Sequence, residues 1–483
     1  MEYEVTIGLE VHAQILTASK MFSASSADYA NAPPNTILDP VCLGLPGSLP
    51  VINRHAIELA ALTGLALNCQ VQAENIISRK NYFYPDLPSS YQRTQFEDPI
   101  CVHGWVEVES DAGSKRIRIG RLHIEEDTGK RFLMPDGSML VDFNRAGVPL
   151  MEIVSEPDIT SPEEARRYFQ KLRQILMWIG VNTGNMEDGA LRCDANISVR
   201  PKGQQVYGAK VEIKNMNSFR SVERALVYEA DRQIKELTAG NTILQSTRGW
   251  NDATGKTILQ RVKEDSNDYR YFPEPDIPPV YLSQEWIDKR YTELPELPDA
   301  CRNRFIETYE LSAVDAETVT ADRQRADYFE RAVAAAQSLN VSPKEVANWF
   351  SGELLRLLNE TGEDLALVEG RFPPAFIGEV QSLLTKGTIT RTSAKEVFEA
   401  CFRTGKSPAD IVAERGMQVI DSGDQLTTLV RDVIAANPKV VADYHSGKTA
   451  SIKFLVGQVM KATKGQANPQ AAQSALEQEL VKE

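Results

Sequence analysis

The chain has 483 residues, of which 42% are hydrophobic and 25% charged, and its formal net charge is −14. That length exceeds one ordinary core and predicts roughly two to four domains of a water-soluble globular protein. Indiscriminate adhesion to nucleic acid is excluded by the acidic balance, though a local basic surface is not, and no apolar run reaches membrane-spanning length. A strand pattern begins almost at residue 1, so no signal or transit peptide is expected. Six cysteines (Cys42, Cys69, Cys101, Cys193, Cys301, Cys401) lie far apart with no C-x-x-C pair. They read as reduced thiols of a cytoplasmic protein.

In chain order, the first strand carries Glu10 and His12 in alternation within Ile7-Gly8-Leu9-Glu10-Val11-His12-Ala13-Gln14. Further acidic residues stand in strand-like or turn-rich surroundings: Glu125, Glu126 and Asp127 after His123-Ile124, Glu152 in Pro149-Leu150-Met151-Glu152-Ile153-Val154, Asp194 in Arg192-Cys193-Asp194, and Glu212 in Lys210-Val211-Glu212-Ile213-Lys214. A carboxylate on the inner face of a strand is costly unless it is paired or binds a cation. Several together suggest a Mg²⁺ site, because a hard ion takes oxygen ligands and shares them with nucleotide phosphates. The alternative is that each pairs with a nearby Arg or Lys.

Ser161-Pro162-Glu163-Glu164 predicts a helix start with a capping box and Pro at the first helical position, and Gly180 predicts its stop. Ser218 opens a second helix, which runs toward Gly240. Strand-like runs at Ala195 to Arg200 and Ala209 to Ile213 lie between them, so this half reads as α+β with a mainly antiparallel sheet. Prolines at 273, 275, 278, 279, 295 and 298 mark a boundary, after which the pattern is helical to the end. A second break falls at Thr404-Gly405-Lys406-Ser407-Pro408. From Tyr444 to Ser474 there is no Asp or Glu, while Lys448, Lys453, Lys461 and Lys464 are present, which makes this the clearest basic stretch of the C-terminal part.

Two stretches imitate a phosphate-binding loop and fail. Ser446-Gly447-Lys448-Thr449 has Ala442 where the first Gly belongs, and Gly249 to Thr257 spaces its two Gly by five residues instead of four. No G-x-S-x-G elbow appears, and no Cys beside a plausible base suggests glutamine hydrolysis.

Six stretches occur together in this order: Ile7 to His12; Arg79-Lys80-Asn81-Tyr82-Phe83-Tyr84-Pro85-Asp86-Leu87-Pro88; His123 to Lys130; Asp142-Phe143-Asn144-Arg145-Ala146-Gly147-Val148-Pro149-Leu150; Lys214-Asn215-Met216-Asn217-Ser218; and Asp268-Tyr269-Arg270-Tyr271-Phe272-Pro273-Glu274-Pro275-Asp276. Over essentially the whole chain they resemble the family of B subunits of aspartyl/glutamyl-tRNA amidotransferases. The resemblance implies a cradle domain distantly similar to glutamine synthetase and guanido kinases (1–292), a helical domain (293–405) and a YqeY-like helical tail domain that binds tRNA (406–483). It also implies a heterotrimer with an amidase subunit, which frees ammonia from glutamine, and a small wrapping subunit, together with tRNA(Gln) or tRNA(Asn) and, in some assemblies, the cognate aminoacyl-tRNA synthetase. The implied reaction uses ATP and Mg²⁺ to phosphorylate the side-chain carboxylate of Glu-tRNA(Gln) or Asp-tRNA(Asn). Ammonia then displaces phosphate. The residues agree with that division of labour: carboxylates and cationic clamps suit carboxylate activation, and the missing nucleophile suits a subunit fed with ammonia.

Carried over by motif, the family's catalytic and metal positions fall on Glu10, His12, Glu125 and Glu152, with Asp194 and Glu212 as a second ion site or outer shell. His12 either ligates the ion or orients a carboxylate or water, since hard ions prefer oxygen. Arg79, Lys80, Lys214, Arg248 and Lys256 are the expected ATP phosphate partners, and Asn215 and Asn217 would orient the acyl group or ammonia. Tyr82-Phe83-Tyr84 serves either core packing or stacking on the terminal adenosine. Lys448, Lys453, Lys461 and Lys464 are the expected tRNA contacts. Many family members carry a zinc knot, C-x-C and later C-P-x-C. Here the matching stretches are Ser23-Ala24-Ser25 and Asp39-Pro40-Val41-Cys42, so no structural zinc is expected. Two rival readings are a free-standing ATP-dependent carboxylate–ammonia ligase and a tRNA-binding scaffold with an inactive cradle.

Overall fold

A computed structural model describes residues 2–110, 113–262, 269–417, 424–446, 448, 450–463, 467 and 469–481. Asp268, Gly447, Thr449 and Lys464 lie outside the described residues. The chain forms two compact units, Met1–Leu297 and Pro298–Glu483.

The first unit is built on a nine-stranded sheet. Its elements in chain order are β1 (Tyr3–Gln14), α1 (Arg54–Ala66), β2 (Gln70–Val71), β3 (Glu74–Asn75), β4 (Ser78–Asn81), β5 (Tyr91–Thr94), β6 (Cys101–Ser110), β7 (Gly113–Glu126), β8 (Lys130–Leu133), β9 (Met139–Asp142), β10 (Pro149–Ser155), α2 (Pro162–Trp178), β11 (Leu191–Pro201), β12 (Val211–Met216), α3 (Phe219–Thr238), β13 (Ser246–Asn251), β14 (Lys256–Val262), β15 (Phe272–Pro273), β16 (Val280–Tyr281) and α4 (Gln284–Glu293). The large sheet runs β14-β13-β12-β11-β1-β10-β7-β6-β2. β12 and β13 are parallel, joined by α3 as a crossover, and the other neighbours are antiparallel. A small sheet, β15-β4-β5, packs through β5 on β7.

Period-two alternation sorts each strand onto two faces. On β1, Ile7, Leu9, Val11 and Ala13 are fully buried. They meet α2 and α3, whose Phe169, Leu172, Leu176, Val222 and Leu226 are also fully buried, in one continuous core. Gly8, Glu10, His12 and Gln14 lie on the opposite face, and that polar face carries the site.

The Ser161 hydroxyl accepts from Glu164 N at 3.1 Å, as a helix cap should. The Glu164 carboxylate, however, accepts from Thr160 N at 2.7 Å and from Lys115, so the expected reciprocal box is displaced by one residue. Helix α1 matches none of the elements expected from the sequence. It is capped by Asn53, whose side chain accepts from Ala56 N, and its apolar face is made of small residues such as Ala56, Ala60 and Ala61.

The second unit is helical: α5 (Pro298–Tyr309), α6 (Ala313–Val319), α7 (Arg323–Gln337), α8 (Pro343–Trp349), α9 (Leu355–Thr361), α10 (Leu365–Glu369), α11 (Ala375–Thr385), α12 (Arg391–Thr404), α13 (Pro408–Arg415), α14 (Asp424–Ala436), α15 (Pro438–His445), α16 (Ser451–Ala462) and α17 (Pro469–Leu480). One π turn, Phe350–Leu354, joins α8 to α9. Phe305, Phe329, Phe350, Phe372 and Phe398 fill the interior up to α13, while Val430, Leu455, Val459 and Leu476 belong to a separate cluster in the tail.

A close approach at the β6 edge gives a stability test. A Cβ on Gly104 would lie 2.2 Å from Cys69 Sγ and 2.7 Å from the Leu67 carbonyl oxygen, so backbone must move to admit it. Gly104→Ala is expected to lower the urea midpoint of the first transition by an equivalent of about 1–3 kcal/mol.

Candidate active site

The site is assembled by strand register. His12 on β1 lies opposite Glu152 on β10, and Glu152 lies opposite His123 on β7. Directly opposed residues share a face, so imidazole, carboxylate and imidazole form one row across three strands. Glu125, two residues beyond His123 on β7, falls on the same face. His12 Nε2 is 3.8 Å from Glu152 Oε2 and 3.9 Å from Glu125 Oε1. One ligand atom from each of His12, Glu125 and Glu152 falls within 4.8 Å of the others. His123 Nε2 stands 3.0 Å from Glu152 Oε2 and 3.8 Å from Glu125 Oε2, and Thr94 Oγ1 donates to Glu125 Oε2 at 3.3 Å.

Burial opposes ionisation of both carboxyls, but His123 and His12 together outweigh it at Glu125, and His123, His12 and Lys80 outweigh it at Glu152, so both are held below the usual carboxylate range. Burial pushes the His123 imidazole down, yet Glu152 and Glu125 raise it to about 9. Burial also opposes charge on Lys80, and attraction to Glu125 and Glu152 raises it overall.

Glu10 is one step along the same face of β1 but outside this cluster. Its Oε1 accepts from Asn196 Nδ2 at 2.7 Å, and Lys210 Nζ lies 3.9 Å away. Asp194 and Glu212 grip Lys214 instead: Nζ lies 2.6 Å from Asp194 Oδ2 and 2.9 Å from Glu212 Oε1, and Thr247 Oγ1 donates to Glu212 at 2.8 Å. Glu126 and Asp127 are structural acids. Arg93 binds both Glu126 and Glu274, while Arg192 and Gln14 hold Asp127.

The remaining expected cations are dispersed. Lys80 and Lys214 face the polar side. Arg79 is committed to Glu274 through Nε at 2.9 Å and stacks over Tyr91. Arg248 lies on the helix-covered face, donating from Nε to Thr257 Oγ1 at 2.8 Å beside the buried Glu229, so the sheet separates it from Lys214. Lys256 is exposed where β14 begins, and Asn215 and Asn217 are exposed at the end of β12, with Asn215 in the left-handed region at φ 67°. On the tail, Lys453 and Lys461 are exposed on α16, and Lys448 pairs with Asp443 at 2.9 Å.

Two clefts open on this face. One, about 260 Å³, is lined by Thr6, Gly8, Glu10, Val154, Tyr207 and Lys210. The other, about 420 Å³, is lined by Lys80, Tyr82, Tyr84, Lys214, Arg261 and Tyr269. Lys80 Nζ sits 5.0 Å from the Tyr269 ring centre and 5.7 Å from that of Tyr82, within cation–π range. His123, Asn196 and Thr94 are site residues that sequence reasoning does not single out. For His123 a signal exists: it stands two residues before Glu125, the same spacing that pairs Glu10 with His12.

A pH dependence follows from these shifts. The raised His123 stabilises the fold fully below its free value of 6.5 and loses that contribution as pH climbs through about 9. The lowered Glu125 and Glu152 contribute above about 4.3 and lose their part in acid. With chelator present, the urea midpoint of the full chain is expected to fall between pH 6.5 and 9. His123→Gln should flatten that limb.

The sequence profile of the GatB/GatE catalytic domain matches residues 5–288, and that of the GatB domain matches residues 327–480. Proteins named as the B subunit of aspartyl/glutamyl-tRNA(Asn/Gln) amidotransferase align over nearly the full length. One from Roseiflexus sp. (strain RS-1) is 69% identical over 483 residues, covering 100% of this chain and 99% of its own. One from Roseiflexus castenholzii is 68% identical with 100% of both chains covered, and one from Herpetosiphon aurantiacus is 56% identical with 99% of each.

Proposed function

Because the chain belongs to the GatB/GatE family, we propose that it is the carboxylate-activating component of a tRNA-dependent amidotransferase. It transfers the γ-phosphoryl of ATP to the side-chain carboxylate of Glu-tRNA(Gln), Asp-tRNA(Asn) or both, releasing ADP. Ammonia from an amidase partner then attacks the acyl phosphate, and phosphate leaves as the amide forms. A small third subunit completes the complex, and the synthetase that misacylates the tRNA is a further candidate associate. The chain's six cysteines are all free, which suits a cytoplasmic enzyme. Among the described residues no helix is long and apolar enough to cross a membrane.

The observation that carries this reading is the set His12, Glu125 and Glu152, converging on one point of a polar face flanked by two clefts. Two carboxylates and one imidazole within 4.8 Å fit a divalent cation, and two oxygen donors suit Mg²⁺, with nitrogen the less usual third. His12, Glu125 and Glu152 would hold such a cation, which would supply positive charge to offset that of the phosphates.

This chain's own residues supply the rest. The cleft beside Gly8 and Glu10, with Val154 and Tyr207 in its walls, takes the nucleoside of ATP and directs its phosphates along the face toward Glu125 and Glu152. Lys80 and Lys214 draw the phosphoryl group from the opposite side and offset charge as it transfers. Tyr82, Tyr84 and Tyr269 line the second cleft and receive the terminal adenosine of the aminoacyl-tRNA by stacking, and Asn215 and Asn217 sit on the approach of the acyl group or ammonia. Glu10, Asp194 and Glu212 supply an outer charge ring or a second cation site. Arg79 and Arg248 hold structure rather than phosphate. No zinc is assigned to residues 23–42, because Lys20 Nζ already lies 3.5 Å from Cys42 Sγ, where a cation would repel it.

The cradle reading is assigned to 1–292, a linking helical domain to 293–405 and a tRNA-binding tail to 406–483. Neither a free-standing ligase nor an inactive scaffold is favoured: relatives named as amidotransferase B subunits match along the whole chain, and the carboxylate set is intact.

In the assembled heterotrimer, Glu125→Gln and Glu152→Gln should each lower ATP hydrolysis dependent on charged tRNA by on the order of 100-fold or more. Basal glutamine hydrolysis by the partner should persist. Undiminished activation in both variants would refute the assignment. For the tail, Lys448→Ala, Lys453→Ala and Lys461→Ala combined should raise KM for charged tRNA and reduce the salt slope of binding by about one for each phosphate no longer neutralised, with little change in tRNA-independent glutamine hydrolysis.

A further inference from the structure

We infer that His123 is a positioning residue that sets the orientation of Glu125 and Glu152 for cation binding without itself ligating the ion. The inference rests on the reading of His12, Glu125 and Glu152 as a divalent-cation site.

His123 is buried on β7, opposite Glu152, and stands outside the set His12, Glu125 and Glu152 whose ligand atoms converge. Its Nε2 lies 3.0 Å from Glu152 Oε2. A carboxylate oxygen only accepts, so Nε2 carries the hydrogen and has no lone pair to offer a metal. Glu125 divides its two oxygens: Oε1 faces His12 at 3.9 Å, whereas Oε2 faces Thr94 at 3.3 Å and His123 at 3.8 Å. Thr94 and His123 thus hold the rear oxygen and turn the front one toward His12. Glu152 is held differently: a single oxygen, Oε2, lies 3.0 Å from His123 and 3.8 Å from His12, so His123 fixes that oxygen in place beside His12.

The other ring nitrogen, Nδ1, is buried with no hydrogen-bond partner among the described residues. A buried polar atom left in this way is a cost that native structures rarely carry without a return. Here the return is at Nε2. An apolar residue would fill the same space without that cost, but it would leave two neighbouring carboxylates without a donor to separate and aim them. Partners of this kind, one step behind the ligands, commonly change metal affinity by roughly 10–100-fold when removed.

The test uses Mn²⁺ as the probe in the assembled heterotrimer, without substrates, so that it does not depend on turnover. Affinity is read by electron paramagnetic resonance titration, and nitrogen ligation by the ¹⁴N coupling in pulsed spectra. Wild type should show one imidazole coupling, from His12. His123→Leu should weaken Mn²⁺ binding by roughly 10–100-fold while that coupling persists at saturation. His123→Gln, which retains an N–H donor, should recover most of the affinity. Where the Leu variant does not assemble, His123→Asn, too short to reach Glu152, should show the same loss. Unchanged affinity in both His123→Leu and His123→Asn would overturn the inference, as would loss of a nitrogen coupling on substituting His123. Absence of Mn²⁺ binding to wild type would overturn the cation site and the inference together, and is thereby distinguished from a failure of His123 alone.

Discussion

Carboxylates withdrawn from water must be matched by positive charge or hydrogen-bond donors, and the acids of the first unit are organised around that requirement. Arg93, buried, is shared between Glu126 and Glu274; Arg192 and Arg145 enclose Asp127; Lys214 spans Asp194 and Glu212. Around these pairs the acids are balanced by full guanidinium or ammonium groups at contact distance. At Glu125 and Glu152 the nearest groups are two imidazoles and a threonine hydroxyl, with Lys80 acting through space. There two carboxylates share imidazoles, and none of the contacting groups is a guanidinium or ammonium. That kind of partner sets Glu125 and Glu152 apart from the Arg- and Lys-bound acids around them.

The sheet itself explains how such a face is tolerated. Its opposite side is closed by α2 and α3 over a large apolar core, so the cost of the polar side is carried by packing behind it. Strands hold side chains in fixed alternation and fixed register, which positions donors more firmly than loops do. His12, Glu152 and His123 owe their alignment to backbone pairing across β1, β10 and β7, not to flexible segments.

Much of this is legible in the residues, and the failures have physical causes. Alternation tells that Glu10 and His12 share a face, and capping signals at Ser161 and Ser218 locate α2 and α3. Register is invisible: nothing in one strand says that His12 lies opposite Glu152 while Glu10 lies opposite Val154, so the sequence groups Glu10 with a cluster it only adjoins. Arg248 misleads because β13, Ser-Thr-Arg-Gly-Trp-Asn, lacks an apolar alternation to reveal its faces. Helix α1 escapes notice because alanines, glycine and threonine dilute its apolar stripe. His123 escapes because a histidine between apolar neighbours looks like core until its cross-strand partner is known.

The central strand β1 has β10 and β11 as its neighbours, and both lie far along the chain. A ribosome therefore delivers residues 3–14 long before either partner exists; this strand has two open edges until β10 (149–155) has emerged and one until β11 (191–201) has followed. Strand edges of that kind recruit other chains, and pairing over such separations is slow. The arrangement leaves a strand edge of the nascent chain open to such pairing during synthesis. It also ties the first unit together: no fragment ending before β11 can hold a β1 that is paired on both edges.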